Sequence, residues 1–475
     1  MENLAISDYA AEGKALAKLD GKVIFVSGAV PGDIADVLIT KSKKDWAEGR
    51  VMRVTTFSPQ RTEPFCRHFG TCGGCKWQML PYAQQLIYKE QEALQNLKRI
   101  GKIDLPSVMP IIGAADAVHY RNKLEFTFSN KRYRLPEEMS SPNPEEEAPP
   151  SEFGKAVLPH MTAGGALGFH VPRIFDKVID ITECYLMDDV NNTIRNTIRS
   201  YAVENNFSFY DIREHTGWLR NIIIRYCTTG ELLVNICLNF DEASDRKKLF
   251  EHLLAAVPSI TTLVYTINPK WNDSIYDLEP QVYYGKGFVI EKLEAFQFKI
   301  SPKSFFQTNT RQAEKLYSVA RDFAGLTGTE VVYDLYCGTG SIGIFVSKHA
   351  KKIIGVEVIE EAIADAKENA LLNNINHADF FAGDVIKICN DEFFATHGRP
   401  DVIITDPPRA GMHEKLVNKL LEIAAPKIVY VSCNTATQAR DIGLLSEKYS
   451  VEQIQPVDMF PHTHHIECVV LLKLK

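Results

Sequence analysis

Two hydrophobic patterns divide the chain. Over residues 1 to about 60, apolar residues come in short β-branched runs, "GKVIFVSGAVPGD", "IADVLITKSKKDWAEG" and "RVMRVTTFSP", broken by Gly, Pro and Asp. Short strands with turn residues at their corners predict a small antiparallel β-barrel. "PYAQQLIYKEQEALQNLKRIG" carries apolar positions at helical spacing and ends on Lys98, Arg99 and Gly101, which predicts a helix with a basic last turn. Residues 111 to about 290 mix strands such as "RNIIIRYCTTGELLVNICLNF" with short helices. From about 327 the pattern becomes regular. "EVVYDLYCGTG", "KKIIGVEV", "HADFFAGD", "PDVIITDPPRAG", "PKIVYVSCN" and "HIECVVLLKL" are apolar strands, and helical stretches such as "IEEAIADAKENALLNN" separate the earlier ones. That alternation predicts an α/β fold with a parallel, doubly wound sheet covered on both faces and ligands at the carboxyl ends of its strands.

The 475 residues leave room for about three domains. The pattern divides them into a barrel (1–60), a cysteine-bearing segment (61–110), a central α+β region (111–290) and the doubly wound region (291–475). The N-terminus lacks a basic stretch followed by an apolar run, and no apolar run is long enough for a membrane span. A cytoplasmic protein without a membrane partner is expected. A net charge of −7 argues against a nucleic-acid binder, but Glu137 to Glu152 holds six acids and no bases, nearly all of the excess. This acidic, proline-rich insertion (135–152) has too little apolar surface to fold alone and reads as a flexible surface loop. In the barrel, Lys41, Lys43, Lys44, Arg50 and Arg53 suit either phosphate contact or a solvated strand face, and charge without a motif favours the second.

"FCRHFGTCGGCKWQ" places Cys66, Cys72 and Cys75 within ten residues. A reducing compartment makes these thiols or metal ligands rather than a disulfide staple. A zinc site, an iron–sulfur cluster and a redox pair stay open, the last weakened because "CGGC" has no thioredoxin-like βαβ context. In "DLYCGTGSIG", Gly338, Gly340 and Gly343 satisfy a dinucleotide-binding pattern, with Glu357 19 residues beyond Gly338. Asp334 stands just before these glycines, where a carboxylate would repel a pyrophosphate. S-adenosylmethionine has no phosphate and carries an ammonium and a sulfonium. A rim of Asp334, Glu357 and Asp384 at successive strand ends suits that cation, the alternative being that these acids cap helices.

The two prolines of "ITDPPRAG" halt a strand after Asp406 and aim it into the crevice. In "VYVSCNTATQARD", Cys433 ends a strand before a helix N-terminus, a setting that lowers a thiol's pKa; the alternative is a small buried hydrophobe. "DMFPHTHHIECVVLL" offers His462, His464 and His465 without a standard zinc ligand set, and Glu467 as either a working carboxylate or a solvated edge residue.

Together these motifs resemble the RNA uracil-5-methyltransferases that use S-adenosylmethionine. The resemblance rests on "SFFQTN", "DLYCGTGSIG", "GVEV", "DPPRAG", "YVSCN" and "MFPHTHHIECVVLL", in the family's order. It implies a Rossmann-like methyltransferase sheet, with Cys433 adding to C6 of a uracil and Glu467 removing the C5 proton. Gln307 and Asp406 then face the target base and cofactor. Tyr336, Glu357 and Asp384, with Asp334 and the loop of Gly338, Gly340 and Ser341, hold the cofactor. Residues 1–60 resemble the OB-like, RNA-binding TRAM barrel. Cys66, Cys72 and Cys75 with Cys184 of "TECYLM" resemble the [4Fe–4S] set of the ribosomal-RNA branch, which implies 23S rRNA ahead of tRNA as substrate. Zinc on the same four thiols is the alternative. The family default is a monomer with no obligate protein partner. Insertion 135–152 departs from the pattern. Competing classes are an iron–sulfur, nicotinamide-dependent oxidoreductase, which Asp334 and the Asp-Pro-Pro loop oppose, and a catalytically idle RNA-binding protein, which leaves Cys433 and Glu467 without a purpose.

Overall fold

The structure is a computed structural model that describes residues 1–106, 108–134 and 165–475; the acidic stretch 135–152 lies outside them. The N-terminal strands form one six-stranded sheet in the order Leu4–Ala5, Ile34–Ser42, Trp46–Thr56, Lys22–Ser27, Ala15–Leu19, Asp8–Tyr9. Alternation turns Ile24, Val26, Ala35, Val37 and Ala47 into one apolar core. Lys41, Lys43, Lys44, Arg50 and Arg53 are exposed. The expectation of an antiparallel barrel needs one correction. Lys22–Ser27 runs parallel to Trp46–Thr56, because the long hairpin Ile34–Thr56 intervenes before the chain returns to that edge.

The cysteine segment leads into the helix Tyr82–Arg99, which packs against the helix Thr435–Leu445 of the C-terminal region. Asn96 Nδ2 donates to Thr435 Oγ1 at 2.9 Å. The first helix also buries an ion pair, Lys89 Nζ to Asp458 Oδ1 at 2.6 Å, while Tyr82 Oη donates to Asp458 Oδ2 at 2.8 Å. Residues near position 90 thus grip two C-terminal segments that adjoin Cys433 and Glu467.

The central region is an eight-stranded mixed sheet. Along Lys123–Ser129, Leu124, Phe126 and Phe128 face the helices Val190–Glu204 and Ala243–Ala256 and share one core with them. Its other face mixes polar residues with buried Ile223, Leu233, Cys237 and Val264, and Arg225 Nη2 reaches across to donate to the Ser304 carbonyl at 3.0 Å.

The C-terminal sheet has seven strands: Val331–Leu335, Lys352–Glu357, Ala378–Ala382, Val402–Thr405, Lys427–Ser432, Tyr449–Val457 and Glu467–Leu474. Numbered in chain order within this sheet, they lie 3-2-1-4-5-7-6. The first five are parallel, and the reversal beside the first strand opens a crevice at their carboxyl ends. The expected all-parallel sheet is corrected at one edge, where Glu467–Leu474 inserts antiparallel between Lys427–Ser432 and Tyr449–Val457. Tyr449–Val457 is a strand that the hydrophobic pattern did not announce. Among the described residues, no helix is long and apolar enough to cross a membrane.

Candidate functional site

The site is built where that inserted strand begins. Ser432 pairs with Cys468, so the next position of the antiparallel ladder brings Cys433 opposite Glu467. Asp406 follows Thr405, whose neighbours are Leu335 on one side and Tyr430 on the other. A thiol and two carboxyls from three strands therefore meet at one end of the sheet. Cys433 is half-buried and Glu467 is 4% exposed, so the solvated-edge alternative for Glu467 does not hold. Asp406 keeps part of its surface open while its carboxyl turns inward.

Electrostatics correct one expectation. Cys433 does immediately precede the N-cap Asn434, whose side chain accepts from the backbone of Ala436 and Thr437. Yet its thiol is pushed up to about 11, not down, by burial and by the neighbouring Glu467 and Asp406 carboxyls. Desolvation and two like-signed neighbours outweigh a partial helix charge worth about 0.3–1 kcal/mol. Burial also pushes Asp406 up to about 7 and, with Asp406 beside it, holds Glu467 well above the usual carboxylate range. Arg409 opposes both effects through its charge, and it hydrogen-bonds the Cys433 thiol.

Arg409 is the residue that the motif reading passed over, although "DPPRAG" contains it. Its carbonyl accepts from Asn434 Nδ2 at 3.0 Å and from Thr437 Oγ1 at 3.2 Å, which ties the Asp-Pro-Pro loop to the helix behind Cys433. Its Nη2 lies 2.9 Å from His465 Nδ1. The three histidines are spent on such contacts: His462 Nδ1 meets Gln85 Nε2 at 3.1 Å, and His464 lies against His465 at 4.1 Å between ring centroids.

The residues expected on the cofactor side, Tyr336, Glu357 and Asp384, stand at or just beyond the carboxyl ends of the first three strands. Tyr336 adopts a left-handed backbone (φ 61°), as do Gly338 and Gly340, so the loop turns sharply after the first strand. A Cβ on Gly340 would sit 2.9 Å from Phe380, whereas Gly338 faces open space. Glu357 accepts from the Gly338 and Val358 backbone, at 3.3 and 2.7 Å, and Asp384 caps a short helix by accepting from Ile386 N. Ser341 Oγ lies 3.0 Å from Tyr317 Oη. Gln307 is half-buried, and its carbonyl accepts from Asn122 of the central sheet at 2.9 Å.

Asp334 is corrected as a rim residue. It is 1% exposed, lies beneath the glycine loop and accepts from Gly343 N at 2.8 Å, so it pins the loop from below. Its second oxygen is buried without a partner, and burial pushes the carboxyl up to about 7. Glu357 and Asp384, at the ends of successive strands, give the crevice an acidic lining that fits a cationic cofactor such as S-adenosylmethionine. Exposed Val358 and Ile359 beside Glu357, and Phe305 (66% exposed) above Thr339, add apolar surface there that the sequence reading did not single out.

Away from the crevice, Cys66, Cys72, Cys75 and Cys184 line a single cavity walled by Phe69, Phe169, Ile181 and Leu186. Burial pushes Cys72 and Cys75 up to about 12. Among the described residues, no group of three or more His, Cys, Asp or Glu side chains is arranged to hold a metal ion.

Comparisons with known proteins agree with this construction. Residues 281–475 match the tRNA (Uracil-5-)-methyltransferase family and residues 3–52 match the TRAM domain. An uncharacterized RNA methyltransferase of Bacteroides thetaiotaomicron is 50% identical over 469 residues, 98% of this chain and 100% of that protein. One from Porphyromonas gingivalis is 48% identical, covering 99% of both. Among solved structures, the Pyrococcus abyssi tRNA (uracil-54, C5)-methyltransferase in complex with S-adenosyl-L-homocysteine superposes with a TM-score of 0.74, at 26% identity, over 99% of this chain and 100% of that one. The nicotinamide oxidoreductase alternative finds no support among these relatives. The chain belongs to the S-adenosylmethionine-dependent RNA uracil-5-methyltransferases, with a Rossmann-like catalytic sheet behind an N-terminal TRAM domain.

Proposed function

We propose that this enzyme methylates C5 of a uridine by covalent catalysis through Cys433. The juxtaposition of Cys433, Glu467, Asp406 and Arg409 across adjacent strands carries the reading. C5 of uracil is a weak nucleophile, and addition of a thiolate at C6 moves electron density onto it. S-adenosylmethionine supplies an electrophilic methyl group at a sulfonium centre. Cys433 gives its proton to solvent and forms the S–C6 bond, the base becomes an enolate, and its C5 takes the methyl group as the sulfonium–methyl bond breaks and the neutral thioether leaves. After methylation, Glu467 as carboxylate takes the C5 proton, that C–H pair restores the C5–C6 double bond, and the C6–S bond breaks to free Cys433. Arg409 favours the thiolate, and Asp406 with Gln307 faces the base. Tyr336, Gly338, Gly340, Ser341, Glu357 and Asp384 hold the cofactor, with Asp334 shaping the loop from beneath. C6 is inaccessible in stacked RNA, so the uridine is flipped out or lies in a loop.

The four thiols hold a [4Fe–4S] cluster on this reading. Four cysteines on one apolar cavity are the standard donor set for it, and their protein segments, around residues 70 and 184, are joined by it. Zinc on the same four thiols is the alternative, since four thiolates are also a standard zinc site. The role is structural, since methyl transfer moves no net electrons. Equal iron and sulfide in anaerobically purified protein is expected; stoichiometric zinc without sulfide would reject the cluster.

The cysteine set favours 23S rRNA as the substrate. The likeness to a tRNA (uracil-54, C5)-methyltransferase favours transfer RNA as a second reading. Mass mapping of 5-methyluridine in both RNAs from cells lacking the gene decides between them. Loss at one 23S position is expected, and loss confined to transfer RNA would transfer the assignment.

A further inference from the structure

Three segments meet beside the Arg409 loop, and each brings a cation. The tip of the central hairpin, Pro172–Arg173, docks on the cysteine loop so closely that a Cβ on Gly73 would sit 2.4 Å from Pro172 Cγ. The cysteine loop is tied in turn to the catalytic loop, with Lys76 N and Trp77 N donating to the His462 carbonyl at 2.8 and 3.0 Å. Gly13 of the barrel approaches His464 so closely that a Cβ there would sit 2.8 Å from it. His465 holds Arg409. Lys14, Lys76, Arg173 and Arg409 are therefore gathered at one junction by backbone contacts next to the thiol.

Among the described residues, only Lys14 of these four is paired with carboxylates, Glu12 at 3.4 Å and Glu48 at 3.1 Å. Lys76, Arg173 and Arg409 are exposed cations without an ion pair among those residues. Glu12 acts through its charge on Lys76, and Glu48 on Arg173, so two carboxylates face four cations here; the excess positive charge costs stability unless a further anion lies among them. Arg173 adds a second sign. It holds φ 70° in a two-residue hairpin turn, a left-handed position that glycine or asparagine occupies more easily. A side chain kept at that cost, beside two other unpaired cations, suits a role beyond the turn itself.

We propose that this junction grips the RNA backbone, Lys76 and Arg173 each neutralising a phosphate of a nucleotide near the target uridine. The inference rests on the uridine reacting at Cys433, beside Arg409. A flipped base leaves its backbone at the mouth of the crevice, and a clamp contributed by three segments outside the catalytic sheet holds the strand there while the base turns inward.

The test measures binding of full-length protein to a fluorescein-labelled oligouridylate of about 15 nucleotides, from about 0.05 to about 0.3 M salt. Lys76→Met/Arg173→Gly is expected to lower affinity about tenfold at about 0.1 M salt and to reduce the salt slope by about 1.4, two phosphates at about 0.7 each. Lys76→Arg/Arg173→Lys keeps the slope, as does Lys247→Met on the remote helix Ala243–Ala256. Arg173→Gly alone relieves its backbone, melts no lower than the parent and loses about 0.7 of slope. An unchanged slope in Arg173→Gly and in the double variant, with S-adenosylhomocysteine still bound, overturns the clamp. The Cys433 reading fails by a different result, the absence of any RNA adduct at that residue.

Discussion

Two thiol-bearing regions of the molecule, the cysteine quartet and the Cys433 crevice, are desolvated, and burial pushes their thiols up, Cys433 to about 11 and Cys72 and Cys75 to about 12. Their surroundings differ. The quartet faces its own members across an apolar cavity, with Phe169, Ile181 and Leu186 as walls. Cys433 faces two carboxyls and one guanidinium at the end of an open crevice. A largely buried set of four thiols on one cavity suits permanent ligation, because only a bound cation compensates four thiolates. A half-open site with mixed charge suits a thiolate that exists briefly, called up by a neighbouring cation and dismissed by neighbouring acids. The pKa direction alone does not distinguish a ligand from a nucleophile; the charges around the sulfur do.

The sharpest break in this comparison is a pair of substitutions. Cys433→Ala is expected to cut methylation at least about 10,000-fold while S-adenosylhomocysteine affinity and the melting temperature stay near the parent's. Cys184→Ala is expected to lower the melting temperature by several degrees while folded molecules still react at Cys433. Calorimetry and methyl incorporation on both variants check this, and a reversed pattern would exchange the two roles.

Next in size is the link between the regions. Burial pulls Lys89 down from its usual range, and the paired Asp458 carboxylate is the chief compensation, with Glu92 adding to it. Lys89→Met leaves Asp458 buried and unpaired, at a cost of about 3–5 kcal/mol in chemical unfolding; Lys89→Met/Asp458→Leu recovers much of it.

The smallest effect is in pH. The Asp406 carboxyl is held up at about 7, above its unfolded value near 4. Its protonated form therefore stabilises the fold fully below about pH 4, and that contribution is lost as pH rises through about 7. Asp406→Asn removes the loss. Relative to the parent, the variant should gain roughly 2 kcal/mol between about pH 5 and about pH 8, with most of the change below about pH 7. A constant difference across that range would contradict the buried, protonated carboxyl.

Local pattern carried much of this. The β-branched runs of the barrel, the helix Tyr82–Arg99 and the apolar strands from Val331 onward are visible because burial on both faces or one face leaves a period in the sequence. Tyr449–Val457 escaped because Glu452, Gln453 and Gln455 interrupt its apolar positions at the sheet edge, where its outer side pairs only with isolated bridges from Val108 and Ile112. The parallel pairing of Lys22–Ser27 depends on where a long hairpin returns, which no local run records.

The site residues were legible as motif positions, and their environments were not. Asp334 reads as a rim acid until Gly343 is seen above it. Cys433 reads as an activated thiol until Glu467, 34 positions later, arrives opposite it across the ladder. Arg409 was present in a quoted motif but acquires meaning only from its contacts with Cys433 and His465.

The central claim is that Cys433 bonds transiently to a pyrimidine and Glu467 ends that bond. Glu467→Gln protein incubated with S-adenosylmethionine and unmodified 23S and transfer RNA tests it most directly. A methylated adduct of retarded mobility on a denaturing gel, with the crosslink mapped to Cys433 by mass spectrometry, is the predicted result. Full turnover by this variant, or an adduct that persists when Cys433 is replaced by alanine, would contradict the account.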